Sequence, residues 1–245
     1  MKLPKGRKLS ETPLHVHSTF MDFATAVEAD VLYPIAFRDR AALDRWAAEQ
    51  NLHPYKIGTF KKDRSAVSYR GTLRIWPDGE LSYSQVWVRA KFRNYRKSIL
   101  RHLIECNDLD GAVDIYDADH AVSKKRLTSV WPEAWVNLAL VSRSMNRSIG
   151  AMLEKDPLGV ENGTSVINAN LEFMFKLLCK PGAMMRRENL QVYFDEASER
   201  FLGKISSPED ILAVSNANGF LTEIAMKNGL ENRRPNFVII AAPEK

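Results

Sequence analysis

Cysteine is nearly missing from this 245-residue chain: Cys106 and Cys179 are its only two, far apart and without a Cys-x-x-Cys pair. A structural zinc site built from cysteines is thereby excluded. Both thiols are expected in apolar surroundings, as small core residues. Long apolar runs are missing too. No stretch approaches the roughly 18 consecutive apolar residues that span a membrane. The basic start, from Met1 to Lys8, is not followed by the apolar h-region of a secretory signal. The expectation is a protein of the reducing cytoplasm whose first residues form a short solvated tail. Internal repeats and low-complexity tracts are absent, so a repeat architecture is not expected.

What is present is ordinary for a globular protein. Apolar residues make up 45% and charged residues 27%, with five Trp and eleven Phe, enough for a real core in one large domain or two small ones. The net charge of +5 is unevenly spread: residues 1–110 carry 19 Lys/Arg against 13 Asp/Glu, and residues 156–245 carry 10 against 12. A basic first part suits a polyanionic partner such as nucleic acid.

Local patterns predict mixed α and β structure. Residues 40–50 are rich in helix formers, with Leu43, Trp46 and Ala47 at helical spacing, Asp39 before them and Pro54 barring any continuation. Residues 66–76 and 81–90 read as the arms of a hairpin around Pro77, Asp78 and Gly79. A helix is expected over 94–106, with Ile99, Leu100, Leu103 and Ile104 as its apolar stripe. Arg93, Arg96, Lys97 and Arg101 cluster on it, either as a solvated face or as a phosphate-contacting surface. Residues 162–203 look mostly helical. Ser207 and Pro208 open another helix, and 236–240 could be a short strand.

The informative stretch is 113–155. Val113 and Ile115 alternate with Asp114 and Tyr116 as in a short strand, which runs on to Asp119 and His120. Asp119 offers a hard oxygen ligand to a divalent cation, and His120 a base with a pKa near neutrality. A charged loop with Lys124, Lys125 and Arg126 is expected next, then a second apolar strand over 135–141 that contains Asn137. From Ser142 onward Met145, Ile149, Met152 and Leu153 recur at three and four residues, as in a helix. The order is strand, loop, strand, helix.

Those residues, about a sixth of the chain, resemble the HNH (ββα-metal) endonuclease family. Its Asp-His motif is matched by Asp119 and His120, its central Asn by Asn137 before Leu138, and its last motif by Asn146, Arg147 and Gly150. The match is an HNN variant without zinc knuckles, and an asparagine in the last position favours Mg²⁺ or Mn²⁺ over Zn²⁺. The resemblance implies an α+β protein. Its HNH core would span 111–156, between an N-terminal α/β region (1–110) for substrate or partner recognition and a mostly helical region (157–245).

It further implies that Asp119 and Asn146 bind the metal, that His120 takes a proton from the attacking water, and that Asn137 orients the His120 ring. Lys124, Arg143 and Arg147 are expected at phosphates, with Arg93, Arg96 and Lys97 adding affinity. Asp117 is either an extra ligand or a solvated strand-end carboxylate, the latter being favoured. The function implied is metal-dependent cleavage of nucleic acid, DNA first, in phage defence or bacterial conflict. Each residue also has a plain structural explanation: a buried hydrogen-bonded histidine, or turn and cap asparagines. The alternative is a non-catalytic nucleic-acid-binding module of the same shape.

Overall fold

Two runs rich in Val, Tyr and Trp make the longest ladder among the described residues. They are β3 (Ala66–Ile75) and β4 (Gly79–Arg89), paired antiparallel from Ala66↔Val88 to Ile75↔Gly79. The computed structural model describes residues 33–57, 64–75, 79–105, 116–154, 157–179, 186–202 and 211–233. Because side chains alternate across a strand, this register puts Val67, Tyr69, Tyr83, Gln85 and Trp87 on one face. Helix α1 (Arg40–Glu49), N-capped by Asp39 through the Ala42 amide, covers that face. Trp46 of α1 meets Trp87 and Tyr83 at ring separations of 6.0 and 5.8 Å, and Phe37 meets Trp87 at 5.3 Å. After α1 the chain turns at Asn51 and passes close to β3. A Cβ on Gly71 would lie 3.0 Å from Leu52 Cδ2 and 3.2 Å from the Asn51 carbonyl oxygen, so any side chain here would crowd the Asn51 backbone.

Among the described residues the other strands are β1 (Pro34–Phe37), β2 (His53–Tyr55), β5 (Tyr116–His120), β6 (Trp135–Ser142) and β7 (Val166–Asn168). They complete a curled antiparallel sheet of order β2-β3-β4-β6-β1-β7, with β5 joined to β6. Strand β6 is where the sheet divides. Its residues 135–137 lie between β4 and β1, while residues 138–142 pair with β5 alone. Seven of its eight residues are buried, which is why it reads as a near-continuous apolar run without alternation.

Among the described residues six further α-helices follow: α2 (Tyr95–Glu105), α3 (Lys124–Val130), α4 (Arg143–Met152), α5 (Leu171–Leu178), α6 (Leu190–Leu202) and α7 (Ile211–Lys227). All eight residues of α5 are buried, Glu172 and Lys176 included.

The mixed α+β class agrees with the sequence reading, and so do the hairpin and the helices over 40–50 and 94–106. Several local expectations are corrected. The segment at Lys124 is a helix, closed by the Leu127 and Trp131 amides on the carbonyls four residues back, and not a charged loop. Residues 162–203 contain strand β7, too short for alternation to show, and it is specified by pairing with β1. Pro54 lies within edge strand β2, where a missing N–H is tolerated. The sheet draws strands from each of the segments 1–110, 111–156 and 157–245. Cys179 is buried as expected, and burial pushes its thiol up to about 12. Cys106, the tail at Met1 to Lys8, residues 113–115, the helix start at Ser207 and Pro208, and the strand at 236–240 lie outside the described residues.

Candidate functional site

Strand β5, strand β6 and helix α4 form one contiguous unit. β5 runs antiparallel to β6 from Tyr116↔Ser142 to His120↔Leu138, and β6 passes directly into α4. Ser142 makes that junction, its hydroxyl accepting the Met145 amide at 3.3 Å. Met145, Ile149 and Met152 bury the inner side of α4. Arg143 and Asn146 lie on its polar side.

Alternation along β5 places Asp117 and Asp119 on one face and Ala118 and His120 on the other. Asn146 Nδ2 donates to Asp117 Oδ2 at 3.5 Å. Arg143 Nε stands 3.4 Å and Arg96 Nη1 3.8 Å from Asp117 Oδ1. Arg96 also donates to the Tyr116 carbonyl at 3.0 Å. Asp117 is therefore not the solvated strand-end carboxylate favoured from sequence. It is the point that ties β5 to α2 and α4.

Asp119, two residues along the same face, has a different partner. Its Oδ2 lies 2.7 Å from the ammonium of Lys176 on α5. That ammonium is also 2.9 Å from Glu172 and 3.3 Å from Glu154, and it donates to the His120 carbonyl at 3.2 Å. Burial works against charge on Lys176, but Asp119, Glu172 and Glu154 outweigh it and hold the group above the ordinary lysine range. Arg126 closes the cluster with a 2.5 Å contact to Glu172.

The His120 ring leaves β5 on the opposite face from the Asp119 carboxylate. It packs against Tyr95 with ring centroids 4.5 Å apart and is only 6% exposed. Its Nε2 is buried and has no hydrogen-bond partner among the described residues. Burial, partly offset by Asp119 and reinforced by Lys176 and Lys124, pulls its pKa down to about 4, so the ring is neutral at pH 7.

Asn137 is fully buried in β6, and its amide donates to Gln85 Oε1 at 3.2 Å while also bonding Tyr33. Burial pushes the Tyr33 phenol well above its ordinary range. What reaches the His120 end of β5 is the Asn137 carbonyl, which accepts the Ala121 amide at 2.9 Å. Asn137 thus holds the loop after His120 through its backbone, whereas its side chain holds the sheet. Asn137→Ala is expected to cost about 1–3 kcal/mol in urea unfolding, because it leaves Gln85 and Tyr33 in the core without this amide. A loss below about 0.5 kcal/mol would remove that role.

Of the basic residues expected at phosphates, Arg93, Lys97, Lys124 and Arg147 are exposed, whereas Arg96 and Arg143 are engaged by Asp117. Sequence reasoning missed Lys176, Glu172, Glu154, Arg126 and Tyr95. For two of them a signal exists: Glu172 and Lys176 sit one turn apart in an otherwise apolar helix, and charges in such a run mark a buried pair. Among the described residues, no three His, Cys, Asp or Glu side chains gather as metal ligands. Of the two residues expected to share a metal, Asn146 reaches Asp117 and Asp119 reaches Lys176, so each has its own partner. No helix among the described residues is long and apolar enough to cross a membrane. A comparison with protein-family models, curated proteins and solved structures finds no match for this chain.

Proposed function

We propose that this chain is a metal-dependent endonuclease of the HNH type, acting on nucleic acid and on DNA first. One observation carries the reading. The residues that suggested the motif lie on a single strand–strand–helix unit, with Asn146 of α4 reaching Asp117, and Asp119 and His120 ending β5. Asp119 and the amide oxygen of Asn146 would hold Mg²⁺ or Mn²⁺, which supplies charge stabilisation at the phosphate and its departing oxygen.

The rest is the work of the chain's own groups. His120 is neutral at pH 7, the state a general base needs, and this role requires its buried ring to turn toward the Asp119 face. Lys97 and Arg93 near the start of α2, and Lys124 at the start of α3, present positive charge to the phosphate backbone.

A second reading, a non-catalytic nucleic-acid-binding module, is favoured by the pairing of Asp119 with Lys176 and by the burial of His120. Plasmid cleavage in Mg²⁺, Mn²⁺ or EDTA separates the two. The nuclease reading expects nicking that EDTA stops and that Asp119→Asn and Asn146→Ala each abolish. DNA binding without any metal-dependent cleavage would establish the module instead.

Both readings share one electrostatic expectation. Neutralising Arg93, Lys97 and Lys124 together should flatten the salt dependence of DNA affinity by up to about 3 units, one per lost phosphate contact. Arg96 is left out because its charge is engaged by Asp117. An unchanged slope assigns these residues to a solvated face.

A further inference from the structure

Among the described residues Tyr55 is the one large aromatic side chain left exposed, at 47%. It stands on β2, the edge strand beside β3, where alternation puts His53 and Tyr55 on the face that carries Ser68 and Arg70. Helix α2 packs on that face, with His102 Nδ1 3.1 Å from Ser68 Oγ. Arg70 lays its guanidinium over the Tyr55 ring, 4.9 Å from the centroid, and is held there by Ser68 Oγ at 3.3 Å and Glu105 at 3.6 Å. We propose that Tyr55 is a stacking platform for an unpaired base, so that the nucleic acid this chain takes is a single strand laid along α2. This substrate class rests on the nucleic-acid reading above, and on neither cleavage nor a metal.

The surroundings select this occupant. Lys56, next to Tyr55, is exposed, and Arg70 and Arg101 share the one carboxylate of Glu105, which leaves three cations against one anion. Such a patch suits a polyanion. An exposed edge strand can also take up a strand of another protein. Here β2 has only three residues, and the middle one, Pro54, has no N–H to donate, so backbone pairing at this edge is poor. A base needs no backbone pairing. It stacks on an aromatic ring by its π-face, and a guanidinium at the same ring adds to the attraction. The bases of a duplex are already stacked on one another, so the platform favours a single strand.

Helix α2 joins the platform to the end of β5. Its last residue, Glu105, meets Arg70, while Tyr95 at its start packs on His120 at 4.5 Å. The two ends are about 15 Å apart along the axis. Lys97 and Arg101, one turn apart, lie between them and give the phosphates of the strand a basic track.

The test is fluorescence anisotropy of the full chain in EDTA, with a labelled oligothymidylate and a DNA duplex of the same length at equal salt. Tyr55→Ala is expected to weaken oligothymidylate binding by at least about fivefold while duplex affinity stays within about twofold. Tyr55→Phe keeps the ring and stays within about twofold of wild type for both. Tyr55→Leu keeps apolar bulk without a π-face and falls as the alanine variant does, which a merely structural role would not produce; it also serves if Tyr55→Ala does not fold. Equal losses for strand and duplex, no loss in the folded variants, or no binding of oligothymidylate by wild type overturns the proposal. Self-association that Tyr55→Ala abolishes, with strand affinity unchanged, overturns it in favour of a second copy on β2. Plasmid nicking reads the nuclease proposal separately. Nicking without any effect of Tyr55 on strand affinity overturns the platform and leaves the nuclease reading standing, whereas Tyr55-dependent strand affinity without metal-dependent nicking supports the platform and removes the nuclease.

Discussion

On the nuclease reading proposed for this chain, replacing His120 by alanine is expected to reduce metal-dependent cleavage by about 10²–10⁴-fold, the usual contribution of a general base. The ring is neutral at pH 7 because burial holds its pKa near 4, and its Nε2 lacks a protein hydrogen-bond partner among the described residues. On the same proposed reading, affinity for DNA should change little, since Arg93, Lys97 and Lys124 remain as exposed positive charges. The ring is packed on Tyr95, so alanine also removes buried volume. His120→Gln retains most of that volume and separates lost packing from lost chemistry. Plasmid nicking rates for both variants, with circular dichroism to confirm folding, decide the matter. Full activity in a folded variant would sink the assignment of His120 as base.

The same ring predicts a steep loss of stability in acid. In the unfolded chain His120 takes up a proton near pH 6.5, whereas in the folded protein it does so near pH 4. Between these values the unfolded state binds one proton more than the native state. Above about pH 6.5 the ring is neutral in both states and costs nothing; as pH falls a penalty against the folded state grows, and it is complete by about pH 4. A shift of this size corresponds to about 3 kcal/mol, a large part of a total that is typically about 5–15 kcal/mol. Lys176 is held above the ordinary lysine range, keeps its charge throughout this window and adds no slope. Urea unfolding in EDTA at pH 7, 5.5 and 4.5 measures the effect, and His120→Gln should show a flatter profile by about the same 3 kcal/mol. Equal slopes in the two proteins would mean that His120 is solvated in the native state.

Much of the local structure was legible before any coordinates. The hairpin of β3 and β4 is specified by its β-branched and aromatic arms. Helix α1 is specified by its Asp39 cap and by Leu43, Trp46 and Ala47 at helical spacing. Strand β6 and helix α4 show as an apolar run followed by a 3.6-residue period, with Ser142 at the change. The order Asp119, His120, Asn137, Asn146 was legible too, because a sequence states which residue types follow one another and at what spacing.

Which of those side chains share a face, and what neutralises them, was decided only by the tertiary structure. Neighbours in strand β5, Asp119 and His120 point to opposite sides by alternation alone, and the tertiary structure decides what meets each side, Lys176 at Asp119 and Tyr95 at His120. The pairing of β6 with β4 fixes the Asn137 amide on Gln85, 52 residues away. Packing of α5 under the same unit delivers Lys176 to Asp119, and α2 and α4 deliver Arg96 and Arg143 to Asp117. Local propensity and periodicity act over a few residues, so they specify elements. The charges that set how Asp119 and His120 behave come from segments brought close only by burial of a shared core, and contacts of that range leave no periodic trace in the sequence.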